Sequence, residues 1–459
     1  MNIKEYRPDT DAGAKNACKL CTPLGASLAF KGIKGAIPFL HGSQGCATYI
    51  RRYLISHYKE PMDIASSNFS EESAVFGGGA NLKKGISNIK KQYAPEVIGV
   101  ATTCLSETIG DDVPMILDEY RKYHDEDKKT RLVHVSTASY RGTHRNGFHD
   151  AVHAVVATLN DKTFKEKRDE RMINLFPGMV SPKDLRHLKE IISDFDLQAI
   201  LLPDYSETLD GGLWEEYQRI PEGGTSSLDI LEMKHASLSI EFGRILSSEK
   251  SAGDFLEEKF DVPCRRIGLP IGIRETDAFF NILEEISKKP CPSKYNGERA
   301  RLVDAYVDGH KYVAGKRAFI FGEEDLVVGL AAFLSEIGVT PVLSATGGET
   351  GLLKEKIREV VPSFSETGMI VSEGIDFEGI MGFARTLSPD ILLGSSKGYR
   401  MARELDIPLV RVGFPIHDRV GGSRIGHLGY RGTQELFDRV ANALIEKKQE
   451  SSPVGYSYI

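Results

Sequence analysis

The sequence predicts an α/β protein with mainly parallel sheets, divided into about three domains. The first observation is its length, because 459 residues correspond to roughly three domains at about 150 residues each. The second is the composition, in which 41% of residues are hydrophobic and 27% are charged, as in ordinary globular proteins. The third is a pattern that occurs three times: an apolar strand, a turn, an amphipathic helix and a second apolar strand. Such alternation is typical of parallel sheets with helices on both faces.

Each of the three stretches has a glycine or proline turn before its helix. In the first, Gly77–Gly79 precedes a helix with apolar residues at helical spacing from Leu82 to Tyr93, and Glu96–Ala101 is a buried strand. The second stretch turns at Pro177–Gly178 and the third at Gly322. Their strand, helix and strand are Ile173–Phe176, Leu185–Phe195 and Ala199–Leu202, and then Ala318–Phe321, Leu326–Ile337 and Thr340–Ser344.

Two polar connections separate the predicted domains. The charged run Lys165–Arg171 is typical of a solvated connection, and Lys288–Asn296 is rich in proline, lysine and serine. The final residues, 450–459, are expected to form an arm that lies on a surface or on a partner. The predicted domains are therefore 1–165, 166–292 and 293–459, the last including the arm.

The composition and the N-terminus exclude several classes of protein. The chain carries 58 basic and 65 acidic residues, a net charge of −7, whereas a large nucleic-acid surface normally needs clustered basic residues. The first 20 residues contain no apolar segment typical of a secretory signal, and no stretch reaches the roughly 18 apolar residues that a membrane span needs. We therefore expect a cytoplasmic protein without nucleic-acid or membrane partners, whose cysteines stay reduced.

Three of the six cysteines occupy matching positions, where a strand or loop leads into a helix. Cys21 precedes Thr22–Pro23, and proline favours a first helical turn. Cys46 ends the segment His41–Cys46 ahead of a helix, and Cys104 ends an apolar strand. The carboxyl ends of parallel strands line one crevice, so we expect the three side chains to meet at one shared ligand. Helix N-termini favour thiolates and negatively charged clusters at such positions.

Clustered thiols can serve an iron–sulfur cluster, a zinc ion or packing alone. Zinc sites usually take four ligands in two short pairs, whereas Cys18 and Cys21 form only one such pair. Soft thiolates in glycine-rich surroundings suit iron–sulfur ligation better. The plainer alternative is that buried cysteines act as small hydrophobic residues. We expect this structural role for Cys264 and Cys291, which lack comparable surroundings, and the role of Cys18 stays open.

A serine motif suggests a different class of protein. Gly394–Gly398 matches the G-x-S-x-G pattern of hydrolases, follows an apolar run and precedes a helix, with Asp406 and then His417 or His427 downstream. Ser396 would then be a nucleophile. This hydrolase alternative leaves the cysteines unexplained and lacks an oxyanion loop, so a strand-to-helix turn is the simpler interpretation. A metal-free docking module with inert thiols is a third possibility.

Six segments, spread over nearly the whole chain, form a specific set. They are Cys21–Ala26, His41–Cys46, Phe76–Gly79, Thr102–Asp112, Pro221–Thr225 and Gly413–Ile416. Together they resemble the nitrogenase component 1 family, in its beta-type branch. The block that ends at Cys46 and the block around Cys104 are highly specific in combination, whereas each glycine motif alone is not.

The resemblance implies three Rossmann-like domains and pairing with a homologous alpha-type chain in an α2β2 heterotetramer. It also implies an iron–sulfur cluster shared between the two chains, either 4Fe-4S or an eight-iron cluster like the P-cluster. Carried over by residue, Cys21, Cys46 and Cys104 correspond to the cluster ligands of the beta-type chain. Ser139 corresponds to a serine that can approach the same cluster in catalytic beta chains. The family's larger cofactor is implied to lie in the alpha-type chain.

Two branches of the family agree with the resemblance. One is the catalytic beta subunit of dinitrogen reductase, and the other is the beta-type subunit of the scaffold on which the iron–molybdenum cofactor is assembled for nitrogen fixation. Ala47, Gly413–Gly422 and Leu428–Gly432 resemble the scaffold branch, which we favour. The complete cysteine set with Ser139 resembles the catalytic branch. The scaffold branch implies two further partners, an ATP-dependent iron protein that delivers electrons and a donor of the cofactor precursor.

Overall fold

The computed structural model describes residues 17–123, 129–160, 168–248 and 250–454. These residues contain three sheets, and every pairing between their strands is parallel. The predicted α/β class with parallel sheets is therefore confirmed. The described residues group into two compact units. One is Leu20–Ile267 with Ile282–Pro290, and the other is Gly268–Asn281 with 291–454 and 17–19. The first unit contains two of the sheets and the second contains the third.

The first sheet has four strands, with helices between them. In chain order, its region contains α1 (Thr22–Lys31), β1 (Ala36–His41), α2 (Gln44–Tyr58), β2 (Ala65–Ser66), α3 (Glu71–Phe76), α4 (Gly79–Tyr93), β3 (Val97–Thr102), α5 (Cys104–Ile109), α6 (Val113–Tyr123), β4 (Arg131–Val135) and α7 (His144–Leu159). The strand order is β2-β1-β3-β4. β1 pairs with β3 from Ala36 opposite Val97 to His41 opposite Thr102, so the two strands end at the same level.

One apolar core holds the first sheet to two of its helices. Every residue of β1 and of β3 is buried, and Phe39 and Val100 belong to the same buried cluster as Leu82, Ile86 and residues of α6. The apolar residues of α4 recur every three or four positions and so lie on one face of the helix. Burial of each valine, leucine, isoleucine or phenylalanine side chain contributes roughly 1.5–3 kcal/mol. This packing stabilises β1 and β3, whose ends lead into α2 and α5.

The second sheet also has four strands and lies in the same unit. Its elements are β5 (Asp169–Phe176), α8 (Pro182–Asp194), β6 (Gln198–Leu201), α9 (Ser227–Glu232), β7 (Ala236–Phe242), α10 (Ala252–Phe260) and β8 (Cys264–Ile267). The strand order is β6-β5-β7-β8. Ser181 caps α8 and Ser251 caps α10, each accepting a hydrogen bond from the backbone N–H three residues later. The predicted strand, helix and strand of this stretch are confirmed.

The third sheet has five strands and lies in the other unit. After α11 (Ile273–Ser287) come α12 (Ser293–Val313), β9 (Arg317–Gly322), α13 (Glu324–Glu336), β10 (Thr340–Thr346), α14 (Leu353–Val360), α15 (Phe364–Thr367), β11 (Ile370–Ser372), α16 (Phe377–Leu387), β12 (Ile391–Gly394), α17 (Tyr399–Leu405), β13 (Leu409–Arg411) and α18 (Gly429–Glu450). The strand order is β11-β10-β9-β12-β13. Its core joins Phe319 and Phe321 of β9 to Phe377 and Ile380 of α16.

The structure changes two details of the predicted connections. Asp169–Arg171 belongs to β5, so the end of the charged run is a strand and not a connection. Helix α12 begins at Ser293, within the predicted link, and the carbonyl of its N-cap residue Pro292 accepts a hydrogen bond from Tyr295 N at 2.9 Å. The domain limits at 165 and 292 stay predictions. The last residues of the predicted arm, 455–459, lie outside the described residues.

No helix in the described part of the chain combines the length and the apolar character that crossing a lipid bilayer requires.

Candidate metal centre

Two of the three cysteines lie where neighbouring strands end. β1 and β3 finish side by side, and a new helix starts within three residues of each strand. Ser43 caps α2 by accepting a hydrogen bond from Gly45 N at 3.2 Å, which places Cys46 in the first turn of that helix. Cys104 is the first residue of α5. The expectation that Cys46 precedes its helix was therefore wrong by one turn. The expectation that Cys104 ends a strand was wrong by two residues, because β3 ends at Thr102 and Cys104 begins α5.

The two helix starts are held together by the Thr103 side chain, which packs against the backbone of Gly42. A Cβ added at Gly42 would lie 1.9 Å from Thr103 Oγ1, so a glycine is needed between the two strand ends. His41 O accepts hydrogen bonds from Thr103 N at 3.1 Å and from Ser106 Oγ at 2.8 Å. Because Ser106 lies in α5, this carbonyl ties the end of β1 to the helix that begins with Cys104.

Cys21 is placed by a different pair of helices. It is the N-cap residue of α1, and its carbonyl accepts a hydrogen bond from Leu24 N at 3.1 Å. Helix α1 crosses α7 very closely: a Cβ at Gly25 would lie 1.7 Å from His144 O, and one at Gly147 would lie 2.0 Å from Thr22 O. Two glycines thus allow backbone-to-backbone contact, which fixes the start of α1.

The three thiols lie within electrostatic reach of one another. Burial raises the pKa of Cys21 to about 11, the Leu24 backbone N–H lowers it, and the nearby Cys46 and Cys104 thiols raise it. Burial and the Cys104 thiol raise the pKa of Cys46. The expected preference of the helix starts for a thiolate is therefore outweighed by burial. All three are free cysteines; Cys104 is exposed and the other two are partly buried, so the group opens onto the surface.

Ser139 lies beside the same group. It starts a short 3-10 turn, Ser139–Arg141, and its backbone N–H donates a hydrogen bond to Cys104 Sγ at 3.3 Å. The structure therefore places near one another all four residues that the sequence singled out in this part of the chain. The backbone N–H of Ser139, and not its hydroxyl, makes this hydrogen bond to Cys104.

Sequence reasoning missed a buried histidine and carboxylate behind the cysteines. His41 is fully buried, and its Nε2 lies 3.0 Å from Asp111 Oδ2 while its Nδ1 lies 3.1 Å from Ser67 Oγ. Burial lowers the pKa of His41, although the Asp111 charge and hydrogen bond raise it. Asp111 also accepts hydrogen bonds from Gly78 N at 3.0 and 3.1 Å. This network fixes the glycine turn before α4, and both side chains stand in motifs that the sequence analysis quoted.

Sequence reasoning also missed a carboxylate in α5. Glu107 Oε1 accepts hydrogen bonds from Thr102 Oγ1 at 2.5 Å and from Ser136 Oγ at 2.6 Å. Glu107 lies within the block around Cys104, so the signal that could have found it was its place one turn after that cysteine.

The other cysteines have different surroundings. Cys18 is buried in the core of the third sheet, where burial raises its pKa to about 12. The Cys264 side chain lies against Gly253 and hydrogen-bonds to Glu241. Cys291 Sγ lies 3.7 Å from the carbonyl oxygen of the next residue. These contacts agree with a packing role for Cys264 and Cys291.

The geometry of Ser396 does not support a hydrolase. Its Oγ donates to Pro415 O at 3.1 Å and accepts from the backbone N–H of His417 at 3.1 Å. A serine nucleophile needs its hydroxyl directed at a base such as an imidazole, whereas this hydroxyl joins two loops through the main chain.

The donor set suits a cluster of several metal atoms better than a single ion. Within the described ranges, no three histidine, cysteine, aspartate or glutamate side chains come close enough together to hold one ion. Three neighbouring free thiols nevertheless provide the ligand type of iron–sulfur clusters. Because the group is open on one side, further ligands can approach from outside the chain.

Comparison with known proteins now assigns the family. The family model described as nitrogenase component 1 type oxidoreductase matches residues 21–445. The chain belongs to this family. Within the family it is of the beta type, since the relatives below are nitrogenase beta chains and related cofactor-biosynthesis proteins.

Relatives from both branches of the beta type are similar to the chain. The nitrogenase molybdenum-iron protein beta chain of Clostridium pasteurianum is 35% identical over 432 residues, which cover 94% of this chain and 93% of the relative. The nitrogenase iron-molybdenum cofactor biosynthesis protein NifN of Bradyrhizobium diazoefficiens is 33% identical over 444 residues, with coverages of 96% and 92%. The two branches therefore stand at nearly equal identity.

Solved structures agree with the fold. A chain of the structure titled "Nitrogenase Cp1 at pH 6.5" superposes with a TM-score of 0.94 at 33% identity, covering 99% of this chain and 98% of that one. A chain of "Nitrogenase Cp1 at pH 5" matches with a TM-score of 0.69 at 15% identity, covering 98% and 94%, and shares the fold alone. The expected nitrogenase component 1 fold is confirmed.

Proposed function

We propose that this chain is the beta-type subunit of the scaffold on which the nitrogenase iron–molybdenum cofactor is assembled. In this role it holds, through Cys21, Cys46 and Cys104, part of an iron–sulfur cluster shared with a homologous alpha-type chain in an α2β2 heterotetramer. The observation that carries the proposal is that three free thiols stand at three helix starts, within electrostatic reach of one another, with Cys104 exposed. Similarity to NifN supports the scaffold branch.

The residues present fit such a cluster. Iron–sulfur clusters take soft thiolate ligands, and a cluster with ligands from two chains needs an open side in each. When bound, the cluster supplies one-electron transfer, here the relay of electrons toward a precursor held by the alpha-type chain. The chain's own part is to hold and orient the ligands. Cys21 stands at the N-cap of α1, Cys46 and Cys104 lie in the first turns of α2 and α5, and Ser139 donates its N–H toward the Cys104 sulfur.

The surface near the cysteines is suited to covering by other proteins. Phe76 is 84% exposed and Val75 is 71% exposed at the end of α3, which packs against α5. Leu105, directly after Cys104, is also exposed. Large apolar side chains that face water in one region mark protein interfaces. We assign this region to the alpha-type chain; the ATP-dependent iron protein and the donor of the cofactor precursor are further proposed partners.

The catalytic beta subunit is the second candidate, and one observation favours it. The chain keeps three cysteines and places Ser139 beside Cys104, the arrangement that resembles catalytic beta chains. Dinitrogen or acetylene reduction by the complex at nitrogenase-like rates would support this candidate. Transfer of matured cofactor from the complex to a cofactor-free nitrogenase component, without such reduction, would support the scaffold.

The ligand assignment is tested with the chain purified anaerobically together with its alpha-type partner. Iron is counted and the electron paramagnetic resonance spectrum is recorded for the wild type, for Cys46→Ala and for the matched control Cys264→Ala. We expect Cys46→Ala to lose iron and the cluster signal, and Cys264→Ala to keep both. An unchanged signal in Cys46→Ala would contradict the assignment. Labelling of Ser396 by a fluorophosphonate would revive the hydrolase alternative.

A further inference from the structure

Glu107 is a carboxylate that joins two segments of the candidate metal centre. It stands one turn after Cys104 in α5, and its side chain is 15% exposed. Its Oε1 accepts hydrogen bonds from Thr102 Oγ1 and Ser136 Oγ, while its Oε2 lies 3.9 Å from Arg141 Nη1. One side chain therefore contacts the end of β3 and both ends of the segment 136–141.

The segment that Glu107 holds is the one that carries Ser139. Ser136 and Arg141 flank Ser139, whose N–H donates to Cys104 Sγ. Thr102 strengthens the attachment, because its Oγ1 accepts a hydrogen bond from Thr137 N at 2.8 Å and its carbonyl accepts one from Thr137 Oγ1 at 2.5 Å. The position of Ser139 relative to Cys104 therefore depends on the contacts of its segment with Glu107 and with Thr102.

The charge of Glu107 gives these bonds a direction. Burial alone would raise the pKa of Glu107. Hydrogen bonds from Ser136 and Thr102 and the positive charge of Arg141 together lower it by more, so the pKa of Glu107 lies below its usual value. An ionised carboxylate only accepts hydrogen bonds, and both hydroxyls must donate to it. The Thr137 N–H then donates to Thr102 Oγ1, which donates to Glu107, and such chains of hydrogen bonds reinforce one another.

We propose that Glu107 is a positioning residue for the cluster: it holds the segment 136–141 against α5, so that Ser139 stays beside Cys104. This inference rests on the proposed function, because it concerns the surroundings of the cluster assigned to Cys21, Cys46 and Cys104. Groups that orient the ligands of a metal site influence its redox potential and its affinity for metal. Glu107 therefore tunes the cluster without binding it.

The experiment compares two substitutions of Glu107 in the anaerobic complex with the alpha-type partner. Glu107→Gln keeps an oxygen that accepts from both hydroxyls, but loses the charge and places an amide near Arg141. Glu107→Ala removes every contact. Glu119→Gln is the matched control, since Glu119 is also a carboxylate that pairs with a basic side chain, Lys83 Nζ at 2.8 Å, but its side chain is 47% exposed.

We expect all variants to keep the iron content of the wild type when no chelator is present. The midpoint potential and the paramagnetic spectrum should shift in Glu107→Gln and shift further in Glu107→Ala, while Glu119→Gln matches the wild type. In competition with a chelator, the affinity of Glu107→Ala for iron should fall roughly 10- to 100-fold, the usual effect of losing a partner that orients metal ligands.

The outcomes separate this proposal from the proposed function. A wild-type complex without iron would overturn the proposed function itself. An iron-loaded wild type beside Glu107 variants with unchanged potentials and spectra would overturn only the positioning role. If Glu107→Ala does not fold, Glu107→Gln and the milder Ser136→Ala decide: a shifted potential in either supports the proposal, and wild-type values in both refute it.

Discussion

The close crossing of α1 and α7 predicts a large loss of stability for Gly25→Ala. The new Cβ would lie 1.7 Å from His144 O and 2.9 Å from Phe148 N, although carbon and oxygen normally approach to about 3.3 Å, near the usual van der Waals separation. The helices must therefore move apart by roughly 1.5 Å, and a gap of even 0.5–1 Å loses about a quarter to a half of each dispersion contact.

The clash sets the expected magnitude. Overpacking a core costs about 1–3 kcal/mol, occasionally more, and here the opposing atoms belong to the backbone, which cannot move aside by changing a rotamer. We therefore expect Gly25→Ala to lower the free energy of unfolding by about 3 kcal/mol. At a slope of about 2 kcal/mol per M of urea, the unfolding midpoint would fall by roughly 1.5 M.

Urea unfolding followed by circular dichroism measures this change, with Gly382→Ala as the control. Gly382 also lies in a helix, but nothing lies within 4 Å of a Cβ added there. Alanine in an open helical position should leave stability unchanged or raise it by up to about 1 kcal/mol. If Gly25→Ala unfolded at the same urea concentration as Gly382→Ala, the inferred backbone contact between the helices would be refuted.

Three further predictions follow from buried groups. Lys31 is 3% exposed, and burial lowers its pKa from 10.5 to about 8 despite the Asp63 charge. As the pH rises, Lys31 therefore loses its proton in the folded chain before it does so in the unfolded chain, and the free energy of unfolding increases between pH 8 and 10.5. Lys31→Met should therefore raise the free energy of unfolding by roughly 3 kcal/mol at pH 7, at about 1.4 kcal/mol per pKa unit. Urea titrations should show that this gain disappears above pH 10.5, and a less stable variant at pH 7 would contradict the prediction. Asp111→Ala removes the partner of the buried His41 ring and should cost about 2–4 kcal/mol in the same assay; a cost near zero would show that water replaces the carboxylate. In the chain without metal, peptide mapping after iodoacetamide treatment should find exposed Cys104 modified before buried Cys18, and the reverse order would contradict the burial described here.

Strand and helix alternation was predictable because it depends on local spacing. The apolar residues from Leu82 to Tyr93 recur at helical spacing, and the structure forms α4 over Gly79–Tyr93. Val97–Thr102 is fully buried on both faces, as its continuous apolar character indicated. These signals need no knowledge of distant residues, so one sequence suffices to find them.

Helix starts were less predictable, because capping decides them. The segment before Cys46 contains glycines, which lower helical propensity, and this made the first turn of α2 look like a loop. Ser43 begins the helix at Gln44 by accepting the Gly45 N–H. Helix α12 starts at Ser293 without a side-chain cap, in a segment whose prolines indicated a connection.

The candidate site was predictable only as far as its ligand types. Cysteines at helix starts were visible in the sequence, and a family resemblance assigned them. The contacts of Glu107 with Ser136 and Arg141 were not visible, since they join residues about 30 positions apart through the path of one loop. Such contacts depend on tertiary placement, which neither residue spacing nor composition encodes.

The open surface of the cysteine group has a chemical consequence before any partner arrives. A peroxide formed from dissolved oxygen oxidises an exposed thiolate by two electrons to a sulfenic acid, which condenses with a neighbouring thiol to a disulfide and releases water. A single such bond between Cys104 and a neighbour would occupy two of the three thiols. The raised pKa of Cys21 slows this reaction, because the thiolate is the reactive form, but Cys104 is exposed. The newly folded chain is therefore most sensitive to air in the interval before its thiols are covered.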